Sequence, residues 1–116
     1  MAYDQIIGRL YAGFNARDFD AVFELLSQDI VWANAWEGGF VDGHEGIRDY
    51  WTRQWKAINP HVEPLEIIQT GDDTVSVKVN QVVKDLNGVL VAEGSVTHLF
   101  TFSDGLISRF DIGSDH

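Results

Sequence analysis

The sequence contains no cysteine, and this absence excludes several kinds of chemistry. A chain without cysteine has no disulfide framework, no thiol nucleophile and no zinc site built on thiolates. Any catalysis would therefore use acid–base groups.

Basic residues are also scarce. Eight Lys and Arg stand against eighteen Asp and Glu, which gives a formal net charge of −10 at pH 7. This charge repels phosphate backbones and anionic lipid head groups. We therefore expect neither nucleic acid nor a membrane as a partner.

Long apolar runs are missing as well. No stretch approaches the ~18 apolar residues of a membrane span. Residues 1–10 are polar and amphipathic, without the basic and then apolar regions of a signal peptide. We therefore expect a cytoplasmic protein.

The sequence also lacks motifs for binding a metal or a cofactor. The histidines show no paired spacing, no carboxylate cluster repeats at ligand intervals, and Gly38-Gly39 does not open a dinucleotide fingerprint. The sequence predicts no metal and no cofactor; the histidines considered are His44, His61, His98 and His116.

The remaining composition is that of one ordinary globular domain. The chain has 116 residues, 45% of them hydrophobic and 22% charged, which is enough for a single core spanning residues 1–116. Apolar spacing predicts three helices, over residues 3–14, 18–27 and 44–58. Alternation and turn clusters predict strands over residues 30–36, 62–70, 74–84, 89–102 and 106–112. Helices followed by a run of antiparallel strands indicate an α+β fold.

Four segments together resemble SnoaL-like and ketosteroid-isomerase-like proteins of the nuclear transport factor 2 (NTF2)-like superfamily. They are RLYAGFNARDFD at residues 9–20, LLSQDIVW at 25–32, DGHEGIRDYW at 42–51 and FTFSDGLI at 100–107. The resemblance implies a cystatin-like cone, in which three N-terminal helices pack on a strongly curved, mostly antiparallel sheet and enclose a pocket. It also implies a homodimer packed through the outer sheet face.

The resemblance does not extend to the catalytic groups of ketosteroid isomerase. Aligned by their shared elements, the family's tyrosine position falls on Leu10, its base on Asn34 and its second acid on His98. An amide does not accept a proton at useful pH. We therefore do not expect steroid isomerisation by that mechanism.

A different polar pair emerges from strand alternation. Trp32, Asn34 and Trp36 share one face of the first strand, and His98 and Phe100 share one face of a later strand. His98, whose unperturbed pKa of about 6.5 suits proton transfer, is the predicted acid–base group. Asn34 would orient a carbonyl or a water. The alternative is that His98 is a core histidine, hydrogen-bonded to Asn34 or to backbone.

Aromatic and apolar side chains are predicted to line the pocket. The predicted ligand-binding residues are Leu10, Phe14, Trp32, Trp36, Trp51, Trp55, Phe100 and Phe110. The alternative is that they form bulky core. Tyr11 could place a hydroxyl at the mouth, or lie exposed or at a dimer contact. Asp111 is expected to face outward, because Phe110 and Ile112 form the inward pair.

Two kinds of function follow. The first is a cofactor-independent isomerase, cyclase, dehydratase or hydrolase acting on a hydrophobic, cyclic small molecule through His98. The second is a ligand-binding or accessory protein that uses the same pocket without turnover. A pure interaction module would require the tryptophans to fill the cavity.

Overall fold

A computed structural model describes residues 3–113 of the chain. Two helices come first, two strands and the third helix follow, and the last four strands pair in sequence as antiparallel neighbours. The helices are α1 (Tyr3–Asn15), α2 (Phe19–Phe23) and α3 (Gly43–Ala57). The strands are β1 (Leu26–Ala33), β2 (Phe40–Asp42), β3 (Asn59–Gln69), β4 (Thr74–Lys84), β5 (Leu90–Ser103) and β6 (Leu106–Gly113). Within the described residues, no helix has the length and apolar character to cross a membrane.

All six strands form one sheet in the order β2-β1-β6-β5-β4-β3. Every neighbouring pair is antiparallel except β1 and β6, which run parallel with Trp32 opposite Phe110. Helix α3 packs against β1, β2 and β3, while α1 packs against β3. The predicted α+β fold, with three helices on a curved and mostly antiparallel sheet, is confirmed.

The core lies between the helices and the inner face of the sheet. On β4, Val75, Val77 and Val79 are buried, and Phe100 and Phe102 are buried on β5. Their two-residue spacing is the period of a strand with one covered face. Full burial of each such side chain stabilises the fold by about 1.5–3 kcal/mol.

The sheet begins earlier than the sequence predicts. Helix α2 ends at Phe23 instead of near Ser27, and β1 begins at Leu26 instead of Ile30. The physical reason is long-range pairing: Leu26 lies opposite Ile107 of β6, and the Ile107 amide donates to the Leu25 carbonyl at 2.9 Å. Pairing across the sheet overrides the local helical period.

Asn15 fastens the end of α1 to β3. Its side-chain Nδ2 donates to the Val62 carbonyl at 2.7 Å, and its Oδ1 accepts from the Val62 amide at 3.0 Å. Arg17 continues this link: its guanidinium donates to the Pro60 carbonyl at 2.8 Å and lies over the Trp55 ring. These contacts attach the C-terminal end of α1 to β3.

We expect Asn15→Ala to lower the free energy of unfolding by about 1–3 kcal/mol, because it leaves two partly buried backbone groups of Val62 without partners. Chemical denaturation measures the change. Asn87→Ala is the matched control, since Asn87 is exposed in a turn and its side chain makes no hydrogen bond to a described residue. Equal effects of the two substitutions would contradict the role given to Asn15.

Candidate functional site

A cavity of about 150 Å³ lies between the three-helix layer and the inner face of the sheet. An engineered cavity of about this size in another protein binds benzene, so the volume corresponds to one ring. The residues that line it are Leu10, Tyr11, Phe14, Trp32, Ala33, Ala35, Tyr50, Trp51, Gln54, Pro60, Val62, Gln81, Val96, His98, Phe100, Phe110 and Ile112.

The two longer helices supply one side of this cavity. Leu10, Tyr11 and Phe14 come from α1, and Trp51 and Gln54 come from α3. Spacings of three and four residues place such side chains on one helix face. The same helical period that covers the sheet therefore also builds the cavity wall.

Aromatic contacts join the sheet side of the cavity to the helical side. Trp32 stacks on Phe110 with their ring centroids 4.0 Å apart, and its edge meets Trp51 at 5.4 Å. Phe14 meets Trp51 edge-on at 5.0 Å. Aromatic pairs in these geometries are favoured beyond the area they bury, so the rings are held in place.

No described residue that lines the cavity carries a formal charge. Its polar side chains, apart from the indoles, are Tyr11, Tyr50, Gln54, Gln81 and His98. A charged ligand group would lose its water here without gaining an opposite charge, which costs several kcal/mol. The cavity lining therefore favours an uncharged group over a charged one.

Tyr11 and His98 form the central polar pair. The Tyr11 hydroxyl lies 2.7 Å from His98 Nδ1, and the two side chains come from elements 87 positions apart in sequence. Both residues are buried, with 4% and 8% of their surface exposed. Burial lowers the pKa of His98 from 6.5 to about 4. Burial also raises the pKa of the Tyr11 hydroxyl, so both groups are neutral at pH 7.

The hydrogen bond also decides which nitrogen of His98 carries the proton. If Nδ1 carried it, the buried Tyr11 proton would have no acceptor among the described residues, at a cost of about 1–3 kcal/mol. We therefore assign the Tyr11 hydroxyl as donor to Nδ1 and place the imidazole proton on Nε2. No described residue makes a hydrogen bond to Nε2, which leaves an N–H donor for a ligand.

The structure places Asn34 in a turn and not on a strand. Strand β1 ends at Ala33, so the alternation that predicted an inward Asn34 stops one residue too early. Asn34 Oδ1 accepts from the amides of Trp36 and Glu37 at 3.1 and 2.7 Å, and Nδ2 donates to Glu37 at 2.9 Å. Its side chain is engaged by the turn and is not part of the cavity lining.

Trp36 and Trp55 also lie outside the lining, although the sequence predicted both for it. Trp36 follows the end of β1 and is 41% exposed in the turn. Trp55 lies one helical turn beyond Trp51 and packs against Phe14 and Phe19. Six of the eight predicted ligand-binding residues do line the cavity, namely Leu10, Phe14, Trp32, Trp51, Phe100 and Phe110.

Two carboxylates near the site are held by arginines. Glu37 accepts from Arg53 at 2.7 and 3.1 Å, and these bonds, with that from Asn34, lower its pKa to about 2. Asp111 accepts from Arg109 at 2.8 and 3.0 Å. Asp111 does not line the cavity, in agreement with the outward orientation predicted from strand phase.

Several polar lining residues were missed in the sequence. Tyr50 and Gln54 are four residues apart on the face of α3 that carries Trp51, so helical spacing could have found them. Gln81 continues the inward alternation of Val77 and Val79. Tyr11 was considered at the mouth, whereas the structure buries it against His98.

A family model described as a SnoaL-like domain matches residues 7–110. No curated protein matches the sequence.

Solved structures with the same fold are numerous. TerC, co-crystallised with polyporic acid, is 26% identical with a TM-score of 0.84, covering 96% of this chain and 89% of TerC. An NTF2-like protein from Burkholderia pseudomallei is 24% identical with a TM-score of 0.83, and the match covers 96% of this chain and 88% of the Burkholderia chain. A putative polyketide cyclase from Sinorhizobium meliloti is 27% identical with a TM-score of 0.80, covering 94% of both chains.

The lowered pKa of His98 predicts a pH dependence of stability. As pH falls from 6.5 towards about 4, the unfolded chain binds a proton that the folded His98 refuses, so unfolding becomes easier. Across this window the wild type should lose about 3 kcal/mol more of its unfolding free energy than His98→Gln. Urea denaturation at several pH values measures the difference. Parallel pH profiles would show that His98 titrates normally.

Proposed function

This chain belongs to the SnoaL-like domain family, and we propose that it binds an uncharged, ring-containing hydrophobic molecule in the cavity and acts on it without a cofactor. The observation that carries the proposal is the make-up of the cavity: apolar and aromatic walls surround the neutral Tyr11–His98 pair. The co-crystal of TerC with polyporic acid supports a small-molecule ligand for this fold.

His98 is the proposed catalytic residue. Its Nε2–H would donate to a carbonyl or hydroxyl oxygen of the ligand, in a chamber with mostly apolar walls. A fixed donor in a dry site stabilises negative charge that develops on such an oxygen. Unlike an imidazolium, a neutral imidazole provides this contact without adding a buried charge.

Tyr11 is a positioning residue in this proposal. Its hydroxyl fixes the ring of His98 and the position of the imidazole proton. The raised pKa of Tyr11 argues against passing its own proton to His98, because a buried phenolate would result. Tyr11 therefore acts through His98 and does not relay protons.

The reaction classes that suit this arrangement are limited. The cofactor-independent classes are isomerase, cyclase, dehydratase and hydrolase. Isomerisation or ring closure of a carbonyl compound suits the site best, because each can proceed by charge build-up on one oxygen that His98 contacts. The likeness to a putative polyketide cyclase supports the same direction.

The alternative is a ligand-binding or accessory protein without turnover. One observation favours it: no described lining residue is a carboxylate, and His98 with a pKa of about 4 is a weak base. NMR titration of His98 separates the two proposals. A pKa that moves when a ligand binds favours turnover, and an unresponsive neutral histidine favours the binder.

Acetophenone and α-methylstyrene form a matched pair of probes, because they differ mainly in a carbonyl oxygen and a methylene group. His98→Leu should weaken acetophenone binding about five- to tenfold relative to α-methylstyrene, as expected from loss of one hydrogen bond. Tyr11→Phe should have a smaller effect of the same sign. Isothermal titration calorimetry measures the six dissociation constants, for the wild type and the two variants with each probe. An unchanged ratio in His98→Leu would remove His98 from the site.

We also propose that two copies associate through the outer face of the sheet. Ile68 and Leu99 both pair with Ser76 in the register, so they lie in one row across three strands, and they are 50% and 39% exposed. An apolar patch of this kind can pack against its own copy about a two-fold axis. Light scattering should give a dimer mass for the wild type and a monomer mass for Leu99→Lys. A monomeric wild type would contradict the proposal.

A further inference from the structure

A groove on the inner face of the sheet adjoins the cavity. The groove has a volume of about 250 Å³ and runs along the far ends of β4 and β5. Gln81 and Val96 line both the cavity and the groove, so the two spaces meet at these side chains. The other residues that line the groove are Val83, Ala92, Glu93, Gly94 and Ser95.

Gly94 forms the open part of this groove. It lies opposite Gln81 in the β4–β5 register, and a Cβ added to it would meet no atom within 4 Å. Its φ is not in the left-handed region, so neither the backbone nor the packing requires glycine there. Glycine weakens a strand, and in that position it often marks a close approach by a ligand or another backbone.

Gln81 supplies a polar group where the cavity and the groove meet. Its side chain is half-buried and makes no hydrogen bond to another residue within the range that the structure describes. A free amide offers both donors and an acceptor. It is therefore placed to contact a polar atom in the middle of a longer ligand.

We propose that the ligand has two parts: a ring in the cavity and an extended, uncharged arm along the Gly94 groove, joined by a polar atom near Gln81. This inference rests on the proposed binding of a ring next to His98. His98 and Gly94 are four residues apart on β5, so such a ligand would span roughly 13 Å. The formal net charge of −10 on the chain disfavours an anionic arm.

Two aryl ketones test the inference. Acetophenone supplies the ring and carbonyl alone, and 4′-hexyloxyacetophenone adds an ether oxygen and an apolar arm. We expect the wild type to bind the longer ketone about tenfold or more tightly, the gain given by burying roughly two methylene groups. Gly94→Phe should abolish that gain and leave acetophenone binding unchanged, because its ring would occupy the groove.

Two further variants control this experiment. Gly94→Leu blocks the groove with a smaller side chain and replaces Gly94→Phe if that variant does not fold by circular dichroism. Val82→Phe adds the same ring to the neighbouring strand on the opposite face, outside both the cavity and the groove, and should keep the gain. Isothermal titration calorimetry provides all dissociation constants.

The outcomes separate this inference from the proposed function. If the wild type binds neither ketone, the proposed function fails, and the two-part ligand fails with it. If it binds acetophenone but shows no gain, or if the gain survives in both Gly94 variants, only the groove is refuted. If the Gly94 variants change the dimer mass and not the gain, the groove accommodates a second copy of the chain, which also overturns the inference.

Discussion

The hydrogen bond between Tyr11 and His98 is the contact on which the site depends. It joins the first helix to the fifth strand across the cavity, at 2.7 Å, between two residues with almost no solvent exposure. Burial keeps the imidazole neutral, and the tyrosine hydroxyl then determines which nitrogen carries its proton. The apolar walls and the polar pair thus depend on each other. Burial by the walls keeps His98 neutral, and the hydrogen bond from Tyr11 orients the neutral ring.

The polar groups in and near the cavity are of two kinds: those that already have hydrogen-bond partners in the fold and those that do not. Asn34 and Arg53 both donate hydrogen bonds to Glu37 in the turn after β1. Their hydrogen bonds are used within that turn and in its link to α3. His98 Nε2 and the Gln81 amide have no such partners among the described residues; both residues line the cavity, and Gln81 also lines the groove. A ligand is recognised by groups that the fold leaves unsatisfied.

Much of the fold and part of the site could be predicted from the sequence. Period and turn chemistry gave the three helices, the long hairpins and the inward face of His98, because these depend on local spacing. The sequence placed Asn34 and Trp36 on the strand, but alternation holds only as far as the strand extends. The pairing of β1 with its neighbours β2 and β6 does not go beyond Ala33. The Tyr11 contact could not be predicted, because its partner is 87 positions away and depends on how α1 crosses the sheet.

The most direct test of this account is the tautomer of His98, read from long-range ¹H–¹⁵N NMR spectra at pH 7 with His98→Gln used to assign the signals. The account predicts a neutral ring with a protonated Nε2 and an unprotonated Nδ1 that accepts from Tyr11. Tyr11→Phe should let both tautomers appear. An imidazolium at pH 7, or a ring protonated on Nδ1 alone, would contradict the account.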